Sequence, residues 1–121
     1  MSDQQDIVLI PIPFTDLSSY RRRPVIIISN DKYNRETDDI VVVAMTSNLK
    51  PANYGFVITS DDLTLGSLRR PSRIRVDKIY TLAQSIVVKT FGRVNETTFD
   101  RICGLLRELT AKNSYGGGSS T

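Results

Sequence analysis

The stretch "PVIIISNDKYNRETDDIVVVAMT", residues 24–46, decides how the chain folds. Its two ends, "PVIIIS" (24–29) and "DIVVVAMT" (39–46), are β-branched and almost continuously apolar over strand length, the pattern of strands buried on both faces, and both are expected to be central. Upstream, "DIVLIPIPF" (6–14) reads as a first strand. Pro11 and Pro13 remove two ladder donors from it and place it at an edge or a bend. Downstream, "YGFVIT" (54–59) is a further short strand. "SRIRVDKIYT" (72–81) alternates, with Ile74, Val76 and Ile79 expected inward and Arg73, Arg75 and Asp77 outward. "SIVVKTFGRV" (85–94) closes the strand series, Gly92 marking a bulge or an end.

The period then changes. In "NETTFDRICGLLRELTAK" (95–112), Phe99, Ile102, Cys103, Leu106 and Leu109 recur at helical spacing behind Asn95, a good N-cap, with Arg107 and Lys112 near the C-terminal end of the dipole. Gly104 inside this helix costs about 1 kcal/mol against Ala and suggests close approach of another element. The segment "SYGGGSST" has linker composition. The expected division is one barrel domain over 1–113 and a flexible tail over 114–121. Many short strands before a terminal helix argue for a mainly β fold, a small and mostly antiparallel barrel with the helix packed on it.

Composition narrows the chemistry. Hydrophobic residues make up 40% of the 121 and charged ones 24%, ordinary for a soluble domain. With no histidine and one cysteine, Cys103, neither an internal disulfide nor the usual zinc ligand sets can be assembled, so no metal and no cofactor is expected. Cys103 reads as a helix core residue, having no base partner in sequence. "MSDQQD" lacks an export pattern and no apolar run approaches the roughly 20 residues that span a bilayer, so the cytoplasm and no membrane contact are expected.

Net charge is +3, with a sequence pI near 9.2. Arg21, Arg22, Arg23, Lys32 and Arg35 form one basic cluster and Arg69, Arg70, Arg73, Arg75 and Lys78 another, together ten of the sixteen basic residues. Read singly, such a run is a solvated loop. Two runs richer in arginine than lysine favour phosphate, because a guanidinium offers a flat fork of donors to phosphate oxygens.

The order "DIVLIPIPFTD", "RRRPVIIIS", "YN", "VVAMTS", "PSRIRVDKIYTL" and "GRV" before a helix resembles the MazF/PemK growth-inhibiting toxins of bacterial toxin–antitoxin pairs, over roughly residues 5–110. The resemblance implies an SH3-like barrel of the CcdB/MazF/PemK type. It also implies a homodimer that cuts single-stranded RNA at a short sequence without a metal, and an antitoxin partner whose acidic, poorly ordered segment covers a basic groove. The family's arginine before the strand proline falls on Arg23. Its threonine ending the third strand falls on Thr46, followed by Ser47, and the arginine–aspartate pair of the late strand falls on Arg75 and Asp77. Catalytic roles are expected at Arg23, Thr46, Arg75 and Asp77, and RNA contacts at Phe14, Thr15, Arg21, Arg22, Ser47, Ser72 and Arg73. Two departures stand out. The glycine before "DIV" is Gln5 here, and a first-loop histidine of some members has no counterpart.

Metal-free RNA cleavage needs attack by the 2′-hydroxyl on its own phosphorus, giving a 2′,3′-cyclic phosphate and a 5′-hydroxyl. A base must take the 2′ proton, and donors must stabilise charge on the phosphoryl and leaving oxygens. A guanidinium suits the second task and proton transfer badly, so Arg23 is expected to clamp phosphate while Arg21 and Arg22 steer the backbone. Asp77, on one strand face with Arg75, is the expected base, weakened by that neighbour. Thr46 orients the phosphate or the 2′-hydroxyl. Phe14, Tyr33 and Tyr54 could stack on bases. Two other readings stay open: a CcdB-like poison of DNA gyrase, disfavoured by the absence of Trp, and a non-catalytic barrel that binds nucleic acid or antitoxin.

Overall fold

The computed structural model describes residues 2–13 and 20–113, with the backbone alone at 12, 13, 20 and 21. Seven strands, β1 (Asp6–Pro13), β2 (Tyr20–Ile27), β3 (Asp39–Thr46), β4 (Gly55–Ile58), β5 (Leu63–Leu65), β6 (Ser72–Ala83) and β7 (Lys89–Val94), accompany helices α1 (Asp31–Glu36) and α2 (Glu96–Thr110). The strands form one antiparallel sheet in the order β4-β6-β3-β2-β1-β7-β5. Laid flat, six gaps would separate its edges by roughly 29 Å. Yet edge strands β4 and β5 are joined through a 3₁₀ turn at Ser60–Asp62, and the five Cα steps from Ile58 to Leu63 reach at most about 18 Å. The sheet is therefore rolled into the expected barrel-like form.

Rolling creates two apolar clusters on opposite faces. Inside the roll, Ile7, Ile26, Val43, Met45, Phe56, Ile74 and Val94 pack under Phe99 and Ile102 of α2. Arg101 of the helix stacks over the Phe56 ring at 4.2 Å, a cation–π contact that ties α2 to β4. On the other face, Val8, Ile10, Val25, Ile27, Ile40 and Val42 form a second cluster against Leu82 and Val87. Because β2 and β3 feed both clusters, they carry continuous apolar runs, as their sequences indicate.

Several expectations need correction. β1 lies between β2 and β7, not at an edge. β7 accompanies it only as far as Leu9, whose carbonyl accepts from Val88 N at 2.8 Å. Pro11 and Pro13 share the backbone orientation of Leu9, so their missing donors face the side where no strand follows. β2 begins at Tyr20, which places the three arginines inside the strand and pairs Arg23 with Ile10. The 85–94 run becomes a strand only at Lys89, after a 3₁₀ turn at Gln84–Ile86. Among the described residues nothing lies within 4 Å of a Cβ added at Gly104, so no described element approaches it. α1 and β5 were not foreseen. α1 is held by polar contacts, Asn30 Oδ1 accepting from Tyr33 N at 2.8 Å and the buried Asn34 bonding to Ser29. No apolar period announces it.

Gln5 adopts a φ of 79°, in the left-handed region that favours glycine. Its side chain is engaged in return: Nε2 donates to the carbonyl of Val94 at 2.9 Å, beside backbone bonds linking Gln5 to Ile27 and Val94. Glycine is required at Gly55 for a different reason, since a Cβ there would lie 2.6 Å from the carbonyl oxygen of Ile74.

Candidate active site

Arg23, Thr46, Arg73 and Arg75 line one groove of about 590 Å³ over β2, β3 and β6. Strand registry explains the convergence. Val25 pairs with Ala44, and Thr46 pairs with Arg73. Arg23 and Thr46 each stand two residues further along from the first pair, on the same face, because alternation repeats every second residue. The groove also holds Asn48, Lys50, Lys78 and Tyr80. Among the described residues, five cations and no carboxylate line it, a strongly positive lining suited to a phosphodiester.

A bulge in β6 shapes its floor. Val43 pairs with Ile79 and Ala44 with Arg75, so Val76, Asp77 and Lys78 have no β3 partner. Such insertions bend a strand and re-aim its side chains. Odd positions face the groove before the bulge and even ones, Lys78, Tyr80 and Leu82, after it. The break in alternation overturns the expectation that Ile79 points inward; it is 40% exposed.

Arg75 grips Asp77 as a fork, Nε to Oδ1 at 3.0 Å and Nη2 to Oδ2 at 2.9 Å. This hydrogen bond holds the Asp77 carboxyl below the ordinary carboxylate range, and the same bond pushes Arg75 up. Asp77 is thus an anion beside the groove and a weak proton acceptor.

The loop after β3 is folded by its own side chains. Thr46 Oγ1 accepts from Asn48 N at 3.1 Å, and Asn48 Oδ1 accepts from Lys50 N at 3.0 Å, two local turns of the kind hydroxyl and amide side chains form. Arg73 Nη2 donates to the Leu49 carbonyl at 3.2 Å and pins this loop to β6, while its buried Nε has no partner. Lys50 and Asn48 were missed in the sequence because nothing in "SNLKPAN" reveals that these turns aim them at the groove.

The other candidate residues lie elsewhere. Ser47 and Ser72, adjacent to Thr46 and Arg73, project to the opposite face and line a second groove. Arg22 is exposed and lines neither. Phe14, Thr15 and the Arg21 side chain lie outside the described residues, as does the 114–121 segment. Tyr33 and Tyr54 do not line the main groove; among the described residues the aromatic there is Tyr80. Lys32 pairs with Glu36 at 3.6 Å on α1. Cys103 is partly buried against the core, and burial pushes its thiol up. Among the described residues no cluster of His, Cys, Asp and Glu could hold a metal ion, and no helix is long and apolar enough to cross a membrane.

A small rolled antiparallel sheet with a terminal helix and an arginine-rich groove makes this a small β-barrel with a cationic binding face. Residues 3–110 match the family model of the PemK-like, MazF-like toxins of type II toxin–antitoxin systems, and the chain belongs to that family. Solved structures share the fold. An endoribonuclease in complex with its cognate antitoxin from Mycobacterial species superposes with a TM-score of 0.71 at 19% identity, covering 94% of this chain and 100% of that one. A MazE–MazF complex from Deinococcus radiodurans gives 0.72 at 16% identity over 93% and 98%. The Mycobacterium tuberculosis toxin MazF-mt6 gives 0.68 at 14% identity over 85% and 93%. No curated protein matches in sequence.

Proposed function

We propose that the chain is the toxin of a type II pair and acts as a metal-independent endoribonuclease on single-stranded RNA in the cytoplasm, arresting translation and growth. The observation that carries this reading is the convergence of Arg23, Thr46 and Arg75 on one cationic groove, in a chain that belongs to the family. Arg23, on a strand packed on both faces, donates to the non-bridging oxygens of the scissile phosphate and stabilises the charge that grows there. Thr46, its oxygen fixed by Asn48 N, directs its hydroxyl proton at the phosphate or the 2′-oxygen. Asp77 takes the 2′ proton as the 2′-oxygen bonds to phosphorus and the bond to the 5′-oxygen breaks; the departing 5′-oxygen takes a proton from water, leaving a cyclic phosphate and a 5′-hydroxyl. Asp77 is a poor base because Arg75 holds it ionised, so turnover is slow, which suits a growth regulator.

The active form is proposed to be a homodimer, restrained by an antitoxin whose acidic segment occupies the same groove by charge complementarity and folding on contact. Two of the similar structures are complexes, an endoribonuclease with its cognate antitoxin and a MazE–MazF pair. The test is incubation of purified protein with a long transcript in EDTA, followed by end analysis. Fragments ending in 2′,3′-cyclic phosphate and 5′-hydroxyl are expected, and Arg23→Ala should form them far more slowly. Intact RNA, with Arg23→Ala still fully toxic in cells, would sink the reading.

A further inference from the structure

The second groove sits on the other face of the sheet from Arg23 and Arg75. Ser47, Ser67, Arg69, Arg70, Ser72 and Lys89 line it above an apolar floor that includes Phe91. Its volume is about 590 Å³, equal to that of the first. Among the described residues, six side chains with donors and no carboxylate converge there, and none of the three cations makes an ion pair. The loop that carries the two arginines is braced. Ser60 Oγ accepts from Leu68 N at 2.8 Å and donates to the Leu68 carbonyl at 3.1 Å. Gly66, at a φ of +82°, packs so closely that a Cβ would meet the Phe91 carbonyl oxygen. The cations are thus presented from a folded loop, which lowers the ordering cost of binding.

The two grooves meet at the end of the sheet. Thr46 faces the first and Ser47 the second; Arg73 faces the first and Ser72 the second; and Thr46 pairs with Arg73. One residue step separates the two sites on each strand. We propose that the second groove is a phosphodiester-binding subsite for the same single-stranded RNA, which crosses the end of β3 and the start of β6 and continues between Arg69, Arg70 and Lys89. Guanidinium, ammonium and hydroxyl donors are the usual contacts to backbone phosphates, and Phe91 offers an apolar surface beside them. An acidic peptide would also satisfy the charges. Continuity with the first groove favours RNA.

This inference rests on the nuclease reading for the identity of the ligand, so it is tested by binding rather than cleavage. The probe is a fluorescein-labelled 2′-O-methyl RNA of about 20 nucleotides, longer than a single small barrel covers and unable to attack its own phosphates. Anisotropy is measured for the wild type, for R69A/R70A/K89A, and for K32A/R107A/K112A, which removes the same charge from exposed positions outside both grooves. The groove variant should bind at least tenfold more weakly, and its log–log salt dependence should be shallower by about 2, at roughly 0.7 per phosphate lost from a single strand. The control variant should keep wild-type affinity. Equal weakening of both variants, unchanged binding by the groove variant, or a loss confined to a polyglutamate peptide would each overturn the inference. A wild type that binds this probe but leaves ordinary RNA intact overturns only the nuclease reading.

Discussion

β3 shows how differently the two faces of one strand are used. Val43 and Met45 are sealed beneath α2 at 0% and 3% exposure, whereas Ala44 and Thr46, one residue along, line an open groove among arginines. The inward side is close-packed, whereas the outward side is sealed at Ile40 and Val42 and opens at Ala44 and Thr46, where the arginines of β2 and β6 stand. The first makes the second useful. A guanidinium on a strand locked by packing keeps its position while phosphate binds, which a loop arginine does not.

The sharpest way to break this division of labour is Arg23→Ala. It should lower kcat/KM for a cleavable RNA by on the order of 10²- to 10³-fold, the usual cost of removing one donor to a developing oxyanion, while the urea midpoint stays close to wild type. Single-turnover cleavage and urea denaturation together check it. Ile74→Ala is the mirror experiment. Ile74 is fully buried inside the roll, and its truncation should cost roughly 2 to 5 kcal/mol in unfolding free energy, with cleavage retained wherever the protein remains folded. Equal losses in both assays for both variants would show that the faces are not separable.

Much of this organisation was legible in the sequence. Continuous β-branched runs placed β2 and β3 at the centre, and helical spacing behind Asn95 placed α2, because both patterns are imposed directly by burial. The outward position of Arg73, Arg75 and Asp77 followed from simple alternation. Features that depend on long-range registry were not legible. The three-residue bulge of β6 re-aims Lys78 and Tyr80 into the groove and leaves Ile79 exposed. The pairing of β1 with β2 draws the arginine triplet into a strand. The edge segment β5 and the polar helix α1 carry too little apolar period to be seen. The same limit separates Ser47 from Thr46. Their adjacency in sequence suggests one site, but strand geometry assigns them to two.

A smaller effect is expected at Gln5, where the family pattern has glycine. At a φ of 79° a Cβ is disfavoured by about 1 kcal/mol or more, and the bond from Nε2 to Val94 offsets part of that. Gln5→Ala loses the bond and keeps the strain. Gln5→Gly loses the bond and relieves the strain. The glycine variant should therefore be the more stable of the two by about 1 kcal/mol, the reverse of their usual ranking, as read from chemical denaturation. If alanine proves the better residue here, the left-handed backbone at Gln5 does not carry the cost that its φ implies.

The smallest stability effect should come from the pair that includes the proposed base. Arg75 and Asp77 are bidentate, but their side chains are 29% and 31% exposed, and such a pair contributes at most about 1 kcal/mol. A double-mutant cycle with Arg75→Ala and Asp77→Ala isolates that term. The folded-state pKa of Asp77 lies below its unfolded value because Arg75 hydrogen-bonds the carboxylate. The coupling should therefore be fully present above about pH 4, the unfolded value, and fade as the pH falls through the lower folded one. In cleavage assays Arg75→Ala should shift the acid limb of the pH profile upward, toward an ordinary aspartate. A limb that does not move would remove Asp77 from the proposed role of base, and would not touch the proposal that Arg23 and Thr46 hold the phosphate.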